Sequence, residues 1–140
     1  MKTAYDMPDL EIALDKVCFV IFKANEFDAK DVAADEDSGS NPSDDQNLDV
    51  LEEHADDPVV AELTGFIHAM TDDEQIDLVT LMWLGRGDST PAEWGELREE
   101  ATNAHNDRTA EYLLGTPLLG EHLEEGLSKL DLSCSDQDLR

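Results

Sequence analysis

The chain has 140 residues, with 35 Asp+Glu against 9 Lys+Arg and a formal net charge of -26. A carboxylate-covered surface repels nucleic-acid phosphate and anionic lipid, so nucleic acid and membrane are excluded as expected partners. With 40% hydrophobic residues, the chain still has enough apolar material for one folded domain with a true core.

The first helix is expected from about Asp9 to Lys30. Pro8 precedes it, and Asp9 and Glu11 suit the positive end of a helix dipole. Ile12, Val17, Val20, Ile21, Ala24 and Phe27 recur at helical spacing, and Phe19 and Phe22 widen the apolar face. A buried strand over Val17–Phe22 is the rival reading, because β-branched and aromatic residues dominate there. The helical spacing on either side decides for a helix. Residues 31–57 then change character. Turn formers and carboxylates replace apolar groups, which predicts a mobile acidic loop, with Leu48, Val50 and Leu51 able to dock back as a short turn.

Helix two is expected to open at Pro58, with Asp57 or Asp56 as its cap and Val59, Val60, Leu63, Phe66, Ile67 and Met70 inside. Thr71-Asp72-Asp73-Glu74 spells a capping box that starts helix three, and Gly85 and Gly87 are expected to stop it. Thr90-Pro91-Ala92-Glu93 spells a second capping box. Helix four follows, with Trp94, Leu97, Ala101, Ala104, Arg108 and Tyr112 at helical spacing through to Leu114. Asn103 and Asn106 are the places where it could break. Thr116-Pro117 restarts the chain into helix five, with Leu118, Leu119, Leu123, Leu127 and Leu130 inside. The expected architecture is an all-α, single-domain bundle of about five helices, with helices two to five over 58–132 and a disordered tail over 133–140.

Cys18 lies in the apolar run Val17–Phe22 and reads as a buried small hydrophobe, while Cys134 sits in the polar tail. Two such cysteines do not suggest a disulfide framework, so a reducing cytoplasm is the expected compartment. No secretory signal is expected, and the run Val17–Phe22 is far shorter than a membrane span.

Few motifs carry chemistry. Asp35 and Asp37 sit two apart as in a calcium loop, but Ser40 and Gln46 stand where Gly and Glu are required. Helix three, Gly85-Arg86-Gly87-Asp88 and helix four resemble a helix-turn-helix. Glu93, Glu96, Glu99 and Glu100 on the second helix would face phosphate, so the segment reads as a plain αα-hairpin. His54, His68, His105 and His122 are scattered without zinc-site spacing, and neither a metal nor a cofactor is expected. One cluster stands out. His105, Arg108 and Tyr112 fall at i, i+3 and i+7 and so are expected on one helix face, with Arg86 able to approach from the preceding turn. Two cations near a His and a Tyr would suit an anionic ligand or a partner's carboxylate. The alternative is an interior polar network in which Arg108 pairs with a helix end or an acid and Tyr112 packs by its ring.

Several stretches resemble a bacterial family of small acidic proteins known only as a domain of unknown function. These are Val17-Cys18-Phe19-Val20-Ile21, Trp83-Leu84-Gly85-Arg86-Gly87-Asp88, Ala104-His105-Asn106-Asp107-Arg108-Thr109-Ala110 and Tyr112–Gly120. The resemblance runs from about Leu10 to Leu130. It implies a cytoplasmic bacterial protein and brings no defined catalytic residue with it. The functional expectation is therefore a non-enzymatic adaptor or regulatory module that binds another protein, with a basic partner as the complementary case. Its candidate surfaces are the acidic loop and a groove beside Tyr112-Leu113-Leu114-Gly115-Thr116-Pro117. The alternative is a small anionic-ligand or enzymatic site on His105, Arg108 and Tyr112.

Overall fold

Helices account for nearly all the regular structure in the residues that the computed structural model describes, 10–38 and 57–134. There are six, with no strand among the described residues: α1 Leu14–Ser38, α2 Pro58–His68, α3 Asp72–Arg86, α4 Trp94–Ala104, α5 Thr109–Leu114 and α6 Leu119–Lys129. The all-α bundle stands. The expected acidic loop beyond Ser38 and the tail beyond Cys134 lie outside the described residues.

α3 is the central element. Every residue from Gln75 to Met82 is buried, so the helix is covered on all sides, and Leu78, Leu81, Met82 and Leu84 are fully enclosed. It packs most extensively against α6, and then against α4. Close approach to α6 depends on two glycines. A Cβ on Gly85 would stand 1.7 Å from the His122 carbonyl oxygen, and one on Gly126 would stand 2.4 Å from that of Leu81. Gly85 is thus an interior contact point rather than the helix stop expected for it. The stop is Gly87, whose φ of 101° is a left-handed conformation that favours glycine. Lys129 Nζ donates to the Leu84 carbonyl at 3.0 Å, placing a cation near the negative end of α3.

The local start signals of α2 and α3 are realised. Asp57 Oδ1 accepts from the Val59 amide at 2.8 Å. Thr71 Oγ1 accepts from the Glu74 amide at 3.1 Å, and Glu74 Oε1 accepts from the Thr71 amide at 2.9 Å. The second box fails: Thr90 makes no side-chain cap, a 3-10 turn occupies Pro91–Glu93, and Ser89 Oγ donates to Glu93 Oε1 at 2.9 Å instead. The Glu93 amide donates to the Thr90 carbonyl at 2.9 Å, not to its hydroxyl.

α1 differs from expectation at both ends. It starts at Leu14 rather than Asp9, because Asp77 Oδ2 accepts from the amides of Glu11 and Ile12 and holds that segment as a bend against α3. It continues past Lys30 to Ser38, through a stretch free of Gly and Pro until Gly39. Asp35 and Asp37 are therefore in a helix, not in an ion-binding loop. Val17, Val20, Ile21 and Ala24 are buried, and α1 lies mainly on α6 and α2. The Phe19 ring meets that of Phe66 in α2 at 4.4 Å between centroids, tilted by 48°, and Lys23 Nζ reaches Glu62 at 3.1 Å. Phe22, expected to widen the apolar face, is 66% exposed.

Two further expectations are corrected. Leu118 is half exposed at φ 59°, outside the core, and the helix after it starts at Leu119. Cys18 and Cys134, read as unlinked, form a disulfide with a Cα–Cα separation of 5.6 Å. The pairing joins α1 to the end of the described chain across 116 residues, a contact that only the folded bundle creates.

Candidate functional site

The long fourth helix is in fact two. His105 adopts extended φ/ψ of -65° and 139° and ends α4. Asn106 then closes a tight turn, its Oδ1 accepting from the Arg108 amide at 2.8 Å. An Asn side chain that bonds the backbone two residues on competes directly with helix continuation, which accounts for the break. His105, Arg108 and Tyr112 consequently do not share one helix face. His105 caps α4, Arg108 precedes α5 and Tyr112 lies within α5.

The break opens a groove of about 520 Å³ between α3, α4 and α5. Ile76, Val79 and Trp83 from α3 and Ala101 from α4 make its apolar side. His105, Asn106 and Arg108 from the linker, with Glu111 and Tyr112 from α5, make the polar side. Gly115 and Thr116 complete one end, so the stretch after Tyr112 adjoins the same groove. Three of the four candidate residues thus line one concavity by a different geometry from the one expected. Arg86 is not among the lining residues. It pairs with Asp88, Nη2 to Oδ2 at 2.6 Å, and that bond, together with the Tyr112 hydroxyl, raises its already high pKa.

The polar groups are ordered by buried partners. Gln75, itself buried, donates from Nε2 to the carbonyls of Ile67 at 3.0 Å and Met70 at 3.3 Å. Those two bonds leave its Oε1 as an acceptor facing His105 Nε2 at 3.0 Å. His105 must therefore donate from Nε2, so its neutral ring carries the lone pair on Nδ1. Asp72 Oδ1, 3.8 Å from the same Nε2, favours the same tautomer. Across the groove, Trp83 Nε1 donates to Tyr112 Oη at 2.9 Å and fixes both rings. Glu111 Oε2 lies 3.4 Å from His68 Nε2, which places His68 at the outer rim. The hydroxyls of Thr109 and Thr116 donate to the carbonyls of Asn106 and Tyr112.

Arg108 contrasts with four of the other described cations, while Lys129 is engaged with the Leu84 carbonyl. Lys16 holds Glu74, Lys23 holds Glu62, Arg86 holds Asp88 and Arg98 holds Asp77. Arg108 is exposed and forms no ion pair among the described residues. Sequence reasoning missed Gln75, Asp77 and Trp83, all in the apolar run of α3. The available signal was a carboxamide and a carboxylate inside a segment otherwise built for burial.

Among the described residues, no helix is long and apolar enough to cross a membrane, and no group of three His, Cys, Asp or Glu side chains is placed to hold a metal. One family profile matches residues 60–132, that of a protein of unknown function (DUF3775). The match spans more than half of the chain, and the chain belongs to that family. It runs from α2 through α6 and contains every groove residue. No curated protein and no solved structure matches the chain.

Proposed function

We propose that the protein is a non-enzymatic binding module whose groove between α3, α4 and α5 takes a short segment of another protein. The supporting observation is that an open groove with an apolar side carries on its rim a guanidinium without an ion pair among the described residues, in a chain of net charge -26. A guanidinium with free donors suits a carboxylate, and the apolar side suits a hydrophobic side chain next to it. The segment is accordingly an apolar residue beside an acidic residue or a chain-terminal carboxylate. The partner's remaining surface is neutral or basic, since the surrounding carboxylates would repel an acidic one. The Thr109 and Thr116 hydroxyls are engaged with backbone carbonyls, which favours binding over nucleophilic chemistry.

The test is affinity capture from the source organism's lysate at moderate salt, against an unrelated protein of similar charge. Ala104→Trp fills the groove from an exposed position, and Arg108→Glu reverses its cation. The wild type should retain a stoichiometric partner that both variants lose. Equal capture by all three would move the docking face elsewhere on the acidic surface. The set tautomer of His105 supports a second reading, a small anionic ligand between Arg108 and His105. In that case Trp83 fluorescence would respond to the small molecule with no protein present, and Arg108→Ala would abolish the response.

A further inference from the structure

We propose that Cys18 and Cys134 form a reversible redox site, which a thiol reagent opens and closes without unfolding the bundle. Three observations support this. The chain's two cysteines meet across 116 residues of sequence. Neither cysteine is fully buried: each residue keeps part of its surface open to solvent. The elements they join are also held together without them: Val17, Val20, Ile21 and Ala24 bury their side chains, Ile21 and Asn25 lie against Gly120 of α6, and Leu132 is tied to α6 by its amide donating to the Leu127 carbonyl at 2.8 Å. The family match, residues 60–132, contains neither sulfur, so the unit that defines the family does not include the cross-link.

The substrate class is a dithiol reductant, a small molecule or a protein. Its thiolate attacks Sγ of one cysteine, the Cys18–Cys134 bond breaks, and the other cysteine leaves as a thiolate that takes up a proton. The reductant's second thiol then attacks its own sulfur in the mixed disulfide and releases the second cysteine. The reductant ends as a disulfide and the protein as two thiols, a two-electron exchange. Oxidation by a disulfide runs the same steps backwards. Reduction frees Cys134 from α1. It also opens a covalent ring that encloses every helix from α2 to α6, so the unfolded chain regains the conformational freedom that the ring removes.

The experiment is a redox titration of the full-length protein in glutathione and in dithiothreitol buffers. Free thiols are trapped by a mass-tagging maleimide, and helicity is followed by circular dichroism. The expected result is a complete and reversible change from no free thiol to two, with helical content unchanged. Thermal melting should drop by on the order of 10 °C on reduction, with Cys18→Ser and Cys134→Ser both melting like the reduced wild type. Two free thiols under fully oxidising buffer would overturn the pairing. A bond that yields only after the protein is denatured would make the cross-link a fixed structural one and overturn the switch. Loss of helicity on reduction of the wild type would do the same, and that reading does not depend on whether either serine variant folds.

Discussion

Arg98 Nε donates to Asp77 Oδ1 at 2.6 Å, and Asp77 has no exposed surface at all. Its other oxygen accepts the amides of Glu11 and Ile12, so one carboxylate joins α4, α3 and the segment entering α1. Breaking a buried, fully hydrogen-bonded ion pair leaves groups that water cannot reach, which costs more than the pair itself contributes. Asp77→Ala should therefore destabilise the fold by about 3–5 kcal/mol. Arg98→Ala should cost a comparable amount, because it leaves the buried carboxylate without its counter-charge. The double variant should fall well short of the sum. Urea denaturation followed by circular dichroism measures all three, and additive losses below about 1 kcal/mol would show that the residues do not act as a unit.

The α3–α6 crossing makes a sharper prediction, because one substitution has opposite signs at different glycines. Gly85→Ala sets a methyl against backbone at 1.7 Å, and neither helix can yield by a side-chain rotation. The expected loss is about 3 kcal/mol or more, the upper end of overpacking. Gly65 in α2 is exposed, with nothing within 4 Å of an added Cβ. Gly65→Ala should stabilise by roughly 0.5–1 kcal/mol, through the lower backbone entropy of the unfolded chain. Melting temperatures of the two variants should move in opposite directions, and a Gly85→Ala protein as stable as the wild type would show that the helices do not approach as closely as described.

Much of this architecture is legible in the sequence, and the division follows the range of the interactions. Helix starts at Pro58 and at Asp72 are set by residues within one turn, so Asp57 and the Thr71–Glu74 pair can be read directly. The break at His105 rests on a local competition that Asn106 wins by one side-chain bond, so the apolar spacing alone carries the helix too far. The groove residues His105, Arg108 and Tyr112 are recognisable as a cluster because they stay within one short stretch. Gln75 and Trp83 bond to His105 and Tyr112 from a helix some thirty residues earlier. The bend at Glu11–Ile12 and the Cys18–Cys134 bond belong to tertiary pairings that no local pattern announces.

Because the Gln75 amide is anchored by two carbonyls, the tautomer of His105 is itself a measurable consequence. Two-dimensional long-range 1H–15N spectra near neutral pH should show the Nε2–H form of His105 as dominant. Gln75→Leu keeps similar volume and removes the acceptor, and the His105 signals should then shift toward a tautomer mixture. The cost to stability should be about 1–3 kcal/mol, since the Ile67 and Met70 carbonyls lose a buried donor. A dominant Nδ1–H form in the wild type would reverse the hydrogen-bond direction assigned to the Gln75–His105 pair.

Glu74 supplies the pH dependence. Lys16 Nζ, 2.7 Å away, is the main cause that lowers its pKa below the ordinary 4.5, with the Thr71 amide next. A carboxylate whose pKa is lower in the folded state contributes stability that is present above the unfolded value. That stability is lost as pH falls through the folded value, so the window lies below 4.5. Glu74→Gln keeps an oxygen that can accept from the Thr71 amide but removes the charge. At pH 7 the variant should be less stable than the wild type by up to about 1 kcal/mol, since the partly buried pair remains in contact with solvent and salt that screen it. As the medium is acidified below pH 4.5 the wild-type side chain takes up its proton and comes to resemble Gln, so the two urea midpoints should converge. A gap that stays constant throughout the acid titration would mean that the capping geometry, and not the charge, provides the contribution of Glu74.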